Sequence, residues 1–132
     1  MNELEAPPKD LTVMPGKVKA IGWLHLVGGL SNIGWGIFWT LYGGIAALGT
    51  FGIGLVFCCP VFIVFPVACM ELYSAFRILS GARGIKPPKL TSIAELCTLI
   101  VCNTFSTIPG ILTLLFQQDP EVVAWYAQNN RD

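Results

Sequence analysis

Residues 20–70 read AIGWLHLVGGLSNIGWGIFWTLYGGIAALGTFGIGLVFCCPVFIVFPVACM. These 51 residues contain no Asp, Glu, Lys or Arg, and one histidine, His25. As one continuous helix they would reach roughly 76 Å at 1.5 Å per residue. A bilayer core is about 30 Å thick and takes about 20 apolar residues. The stretch therefore reads as two spans joined by a turn. Gly43, Gly44, Gly49, Gly52 and Gly54 place that turn between about Tyr42 and Gly54, because glycine permits tight backbone angles. The spans expected are about 20–43 and about 53–79. A further apolar block, Leu90–Phe116, is broken only by Glu95. Its 27 residues suit one tilted span and fall short of two. Asn103, Thr104, Ser106, Thr107, Pro109 and Gly110 interrupt it, so this third span is expected to be kinked or broken near Asn103–Gly110. A broken pair that turns back would return the C-terminus to the side of entry.

Composition agrees with an all-α integral membrane protein. Of 132 residues, 54% are hydrophobic and 12% charged, about half the usual charged share of a soluble domain. Eight basic and eight acidic residues sum to zero, which leaves none of the basic excess of a nucleic-acid binder. Residues 1–19, with Pro7, Pro8 and Pro15, read as an irregular polar tail, residues 20–116 as one transmembrane domain, and 117–132 as a C-terminal interfacial helix and tail. A signal peptide is not the reading, because the leading segment is acidic and the apolar run is too long.

Charge position sets an orientation. Lys9, Lys17 and Lys19 precede the first span, and the connection SGARGIKPPK at 80–89 carries Arg83, Lys86 and Lys89 beside Arg77. Both are assigned to the cytoplasm, and the uncharged first connection to the outside. Three spans would place the C-terminus outside. Trp23, Tyr73 and Phe76 fall near the inner interface, and Trp39 and Tyr42 near the outer one. Trp35, one turn deeper, is expected to pack.

Gly28, Asn32, Gly36, Thr40 and Gly44 recur every fourth residue on the first span. Small residues in register allow close helix approach, so this stripe is read as a packing seam, against either the second span or another protein. Glycine is frequent in membrane helices generally, and Gly22, Gly29 and Gly34 lie off this stripe. Pro60 and Pro66 bend the second span.

Six polar residues within the expected spans stand out. His25, Glu71 and Glu95 fall in the cytoplasmic half, with Arg77 further out on the second span. Asn32 and Asn103 fall at mid-depth and are expected to hydrogen-bond to each other. Ionisable groups in a bilayer are costly and are candidates for a proton or ion path. The competing reading is an inner polar layer in which Glu95 and Arg77 snorkel to the headgroups. Glu71 is expected to pair with His25, Arg77 or a partner subunit.

Cys58, Cys59, Cys69, Cys97 and Cys102 lie in apolar text without ligand spacing, and read as buried free thiols. No metal site, cofactor site or catalytic constellation is read, since the chain has one histidine and no nucleophile or phosphate-loop motif.

Asp119 can cap a helix beginning at Pro120, with Glu121 in its first turn. Trp125 and Tyr126 give that helix an interface-seeking side. The segment Pro120-Glu121-Val122-Val123-Ala124-Trp125-Tyr126 resembles the PEV-x-A-Y-F ending of small, uncharacterised bacterial multi-pass membrane proteins. IGWLHLVGGLSNIGWGI in the first span and the Pro109-Gly110 break are also similar, while Arg77-Ile78-Leu79-Ser80 departs from the W-A-R those proteins carry after the second span. The resemblance implies a bacterial inner-membrane protein and no particular activity. Together these features lead to the expectation of a non-enzymatic accessory or structural subunit, in contact with lipid and other membrane subunits. The alternative is a small proton, ion or solute transport component using Glu71, His25 and Glu95. A third reading, with Trp35, Trp39 and the glycines lining a groove for lipid or cofactor, ranks last.

Overall fold

The computed structural model describes residues 13–53, 56, 59–101 and 103–130. These form five α-helices: α1 (Gly16–Gly49), α2 (Val61–Leu79), α3 (Lys89–Cys97), α4 (Thr104–Phe116) and α5 (Pro120–Asn129), with a 3-10 turn at Thr98–Val101 between α3 and α4. No strand occurs among the described residues. One described helix, α2, is long and apolar enough to cross a membrane. In α1 the apolar text is diluted by glycine, tryptophan, His25 and Asn32, and α4 is short.

The helix boundaries correct the expected ones at several points. α1 starts at Gly16, so the polar tail is shorter than 1–19, and residues 1–12 lie outside the described part. Gly43 and Gly44 stay helical, and α1 runs on to Gly49. The reversal comes where Phe51 (φ 50°) and Gly52 (φ 96°) take the left-handed conformation, with Gly52 N–H closing on the Ala47 carbonyl at 2.9 Å. α2 consequently begins at Val61 rather than near 53.

α1 and α2 pack antiparallel through a glycine seam. A Cβ on Gly22 would meet Leu79, one on Gly29 would meet Leu72 and one on Gly36 would meet Phe65, each at 2.9 Å. The glycines are seven apart, and so are their partners. A seven-residue step drifts only about 20° around a helix, which keeps the seam on one face. The four-residue stripe read from sequence drifts about 40° per step and leaves that face. Of its members, Gly28, Asn32 and Gly36 are buried, whereas Thr40 bonds back to the Gly36 carbonyl at 2.8 Å and Gly44 has open space around it. Gly22 and Gly29, left off the stripe, are where the helices close.

The third apolar block is not one continuous helix. α3 has nine residues, about 13 Å of helix. The chain then turns, and α4 returns antiparallel to α3. Gly110 lies against Glu95 and the Ser92 carbonyl, and Gln117 Nε2 donates to Ser92 Oγ at 3.3 Å. The break falls at Thr98–Asn103, upstream of Pro109-Gly110, which sits inside α4. Thr98 stabilises it: its Oγ1 donates to the Glu95 carbonyl at 2.6 Å, and its own carbonyl accepts from Asn103 N–H at 3.1 Å. Trp35 Nε1 donates to the Val101 carbonyl at 3.0 Å, tying the hairpin tip to α1.

Because the third block turns back, α5 lies at the same end of the bundle as the start of α1, as expected for a broken pair. Asp119 caps α5 through Glu121 N–H at 3.0 Å and accepts from Lys17 Nζ. Val122, Trp125 and Tyr126 join Val18, Ile21, Ile78 and Ile85 in one apolar core. Trp125 and Tyr126 are therefore buried, not interface-seeking, and burial holds the Tyr126 phenol above its ordinary range. Asp119 is held below the usual carboxylate range by its bond to Lys17, and Lys17 is correspondingly raised. The described cysteines, Cys59, Cys69 and Cys97, are exposed on the bundle surface rather than buried, and Cys58, Cys102 and Arg131 lie outside the described residues.

The seam makes a paired prediction. Gly29→Val should destabilise the protein by about 1–3 kcal/mol through overpacking against Leu72. Gly44→Ala, in open space, should be neutral or stabilising by about 0.5–1 kcal/mol. Unfolding of the two variants in mixed detergent micelles checks this, and equal stabilities would contradict the heptad seam.

Candidate functional site

His25, Gly28 and Asn32 recur at helical spacing on the inner face of α1. Glu71 arrives from α2, Glu95 from α3, Asn103 from the hairpin turn and Ser106 from the first turn of α4. His25, Asn32, Glu71, Glu95 and Ser106 are all 0% exposed, and Asn103 is 1% exposed. Every long element of the bundle thus supplies a polar side chain to one interior cluster.

Glycines make room for the carboxyl groups. A Cβ on Gly28 would lie 2.5 Å from Glu71 Oε1 and 3.6 Å from Glu95 Oε1, so the two acids flank the same bare stretch of α1. A Cβ on Gly110 would lie 2.9 Å from Glu95 Oε2. With a larger residue at either place, the facing glutamate side chain would have to shift.

The hydrogen bonds close around Glu71. Asn32 Nδ2 donates to Glu71 Oε2 at 2.7 Å and to Ser106 Oγ at 2.8 Å. Ser106 Oγ donates to Glu71 Oε1 at 2.9 Å. Asn32 Oδ1 accepts from Asn103 Nδ2 at 2.6 Å, which joins the two mid-depth amides. His25 Nδ1 pairs with Glu95 Oε1. His25 Nε2, Glu95 Oε2 and Asn103 Oδ1 make no hydrogen bond among the described residues.

Arg77 is not part of this cluster. It donates to the Tyr73 hydroxyl at 3.0 Å and to the Arg83 carbonyl at 3.2 Å, at the basic end of the bundle. Glu71 therefore hydrogen-bonds to neither Arg77 nor His25, and Glu95 is buried rather than snorkelling. The cluster holds two acids and one imidazole with no lysine or arginine among its hydrogen-bond partners. Among the described residues no three His, Cys, Asp or Glu side chains are grouped to hold a metal ion. Chemically, the arrangement can hold and pass protons between hydrogen-bonded neighbours.

Sequence reasoning singled out His25, Asn32, Glu71, Glu95 and Asn103, and the fold brings all five together. It missed the part Ser106 plays and the reason for Gly110. Both belong to a face of α4, Ser106, Gly110, Thr113 and Gln117, spaced four, three and four apart. That helical period was a readable signal. No family model matches the chain, and no curated protein or solved structure matches it.

The Asn32–Asn103 bond gives a prediction. Asn32→Leu and Asn103→Leu should each destabilise the bundle, and the double variant should cost less than the sum. The coupling expected is about 0.6 kcal/mol, up to about 1.7 kcal/mol, as for other interhelical bonds in membranes. A double-mutant cycle in micelles reads it, and strict additivity would rule the bond out.

Proposed function

We propose that the chain is an integral membrane protein in which α1 and α2 cross the bilayer and α3–α4 enters and leaves from the cytoplasmic side. Lys17, Lys19, Arg77, Arg83, Lys86 and Lys89 belong to one end of this arrangement, which by the positive-inside tendency is the cytoplasmic one. Both described ends of the chain belong there too. A bacterial cytoplasmic membrane is the setting that the resemblance of the C-terminal segment suggests.

Within that frame, the interior cluster is the centre of a small proton-conducting transport component. One observation carries this reading: two carboxyl groups and an imidazole share a buried site with no cation beside them. Asn32, Asn103 and Ser106 alone would suffice to join α1, the hairpin turn and α4. Adding three ionisable groups inside a bilayer is costly, and such groups usually mark a functional path. The proton moves along the His25–Glu95 bond, beside Glu71, which Asn32 and Ser106 hold in place. The hairpin brings Glu95 in from the cytoplasmic side and back against α1.

A second reading, an accessory subunit in a larger membrane complex, draws on α1. By the Gly36–Phe65 register, α1 runs about two and a half turns beyond the start of α2. That end exposes Leu41, Ile45 and Leu48. The glycine seam does not support this reading, since it is occupied within the chain.

Purified protein in liposomes carrying an internal pH dye tests the first reading. Under an imposed membrane potential, proton uptake should exceed that of empty vesicles. Glu95→Gln and Glu71→Gln should each lower it by at least about tenfold, in line with a charge-dependent path. Wild-type flux equal to empty vesicles, or full flux in both variants, would overturn it.

A further inference from the structure

A second polar feature lies away from the interior cluster, where the basic end of α2 meets the 80–88 connection. Tyr73, Ser74, Arg77 and Ile78 form one wall of a cleft, and Gly84, Ile85, Lys86 and Pro88 the other. Its volume is about 260 Å³. Two cationic side chains line it and no acidic one does.

The cleft is built, not a chance gap between loops. Gly84 takes φ 65°, which turns the connection back towards α2. The α5 end then fastens it: Gly84 N–H donates to the Asn129 carbonyl at 3.1 Å, and Asn130 Nδ2 to the Ile85 carbonyl at 3.0 Å. The Arg77 guanidinium lies over the Tyr73 ring, 5.9 Å from its centroid, and is held by the Tyr73 hydroxyl and the Arg83 carbonyl. Its Nε is buried with no hydrogen-bond partner among the described residues. A guanidinium held at Nη1 and Nη2, with a second N–H left on each, across the cleft from a lysine, suits a phosphate oxygen.

The surroundings narrow the ligand. Tyr73, Phe76 and Leu90 are strongly exposed on α2 and α3, near the cleft in sequence. Basic clefts of this kind on the cytoplasmic side of membrane helices take anionic headgroups. We propose that this cleft binds the phosphate of an anionic phospholipid, with Arg77 and Lys86 as its charged contacts and the acyl chains along the exposed apolar side of α2. The site rests on the bilayer placement of this end and is independent of proton conduction.

Native mass spectrometry of the full chain, purified in neutral detergent and exchanged into mixed micelles, tests it. The micelles contain either phosphatidylglycerol or phosphatidylcholine. Wild type should retain one phosphatidylglycerol per chain, at least about fivefold over phosphatidylcholine. Arg77→Gln and Lys86→Gln should each abolish that preference. Lys19→Gln removes one charge at the same end, outside the cleft, and should leave it intact. If Arg77→Gln does not elute as a folded species, Lys86→Gln alone carries the test. Three results would overturn the site: equal retention of both lipids, an equal loss in Lys19→Gln (diffuse charge attraction), or unchanged retention in Lys86→Gln. Inorganic phosphate at millimolar concentration forms the last arm. Binding of phosphate without any preference between lipids would reassign the cleft to a free phosphate. Proton flux in liposomes is unaffected by the lipid result, so the two readings fail separately.

Discussion

A carboxyl group enclosed in an apolar bundle must find hydrogen-bond partners from the protein itself, and most of this structure follows from meeting that demand twice. Glu71 is bonded at both oxygens, by Asn32 and Ser106, and Glu95 at one, Oε1, by His25. None of these partners is local in sequence. Leaving such a polar group unmet costs on the order of a few kcal/mol. That requirement fixes which faces of α1, α2, α3 and α4 turn inward, and it makes a half-assembled bundle unfavourable. The glycines answer the same demand in steric form. Gly28 and Gly110 vacate the volume the carboxyl groups occupy, while Gly22, Gly29 and Gly36 bring α1 close enough to α2 for Asn32 to reach Glu71.

The hairpin is the second consequence. A straight third span would carry the chain on to the far side. Reversal at Thr98–Asn103 returns α4 alongside α3, so that Ser106 and Asn103 reach the same site as Glu95. It also brings α5 to the start of α1, where Val122, Trp125 and Tyr126 complete a small core and the Lys17–Asp119 pair closes its edge. That pair is exposed, and its protonation has a clear sign. The lowered Asp119 contributes above the 3.8 of a free aspartate and is lost as pH falls through its folded value. The raised Lys17 contributes below the 10.5 of a free lysine and is lost as pH rises through its own. Across neutral pH the attachment of α5 is insensitive to protons, unlike a site built from carboxyl groups and imidazole.

Much of this was legible from residue text. The uncharged run from Ala20 to Met70 is too long for one span and marks two helices with a turn. Asp119-Pro120-Glu121 announces the start of α5. Distance from the basic flanks puts Asn32 and Asn103 at one depth, and they meet. Other features were not legible, for reasons that are physical. Twenty-seven apolar residues fit one tilted span as well as two short helices, and the choice depends on bonds to residues far along the chain. A four-residue scan finds glycines by adjacency, but only the seven-residue step keeps them on one face. Trp125 and Tyr126 are amphipathic enough for an interface, and they are buried because α1, α2 and the 80–88 connection converge on them. Arg77 looked like a partner for Glu71, yet the six-residue separation turns it outward to Tyr73 and Arg83.

The central claim is that the third apolar block returns to the side it came from, because only then do Glu95, Asn103 and Ser106 converge on α1. Labelling with a membrane-impermeant thiol reagent reads this directly. Single substitutions Lys19→Cys and Gln118→Cys, in a chain with the native cysteines replaced by alanine, are compared in right-side-out and inverted membrane vesicles. The account predicts that both positions react in inverted vesicles and neither in right-side-out ones. Reaction of Gln118→Cys only in right-side-out vesicles, with Lys19→Cys labelled only in inverted ones, would contradict it.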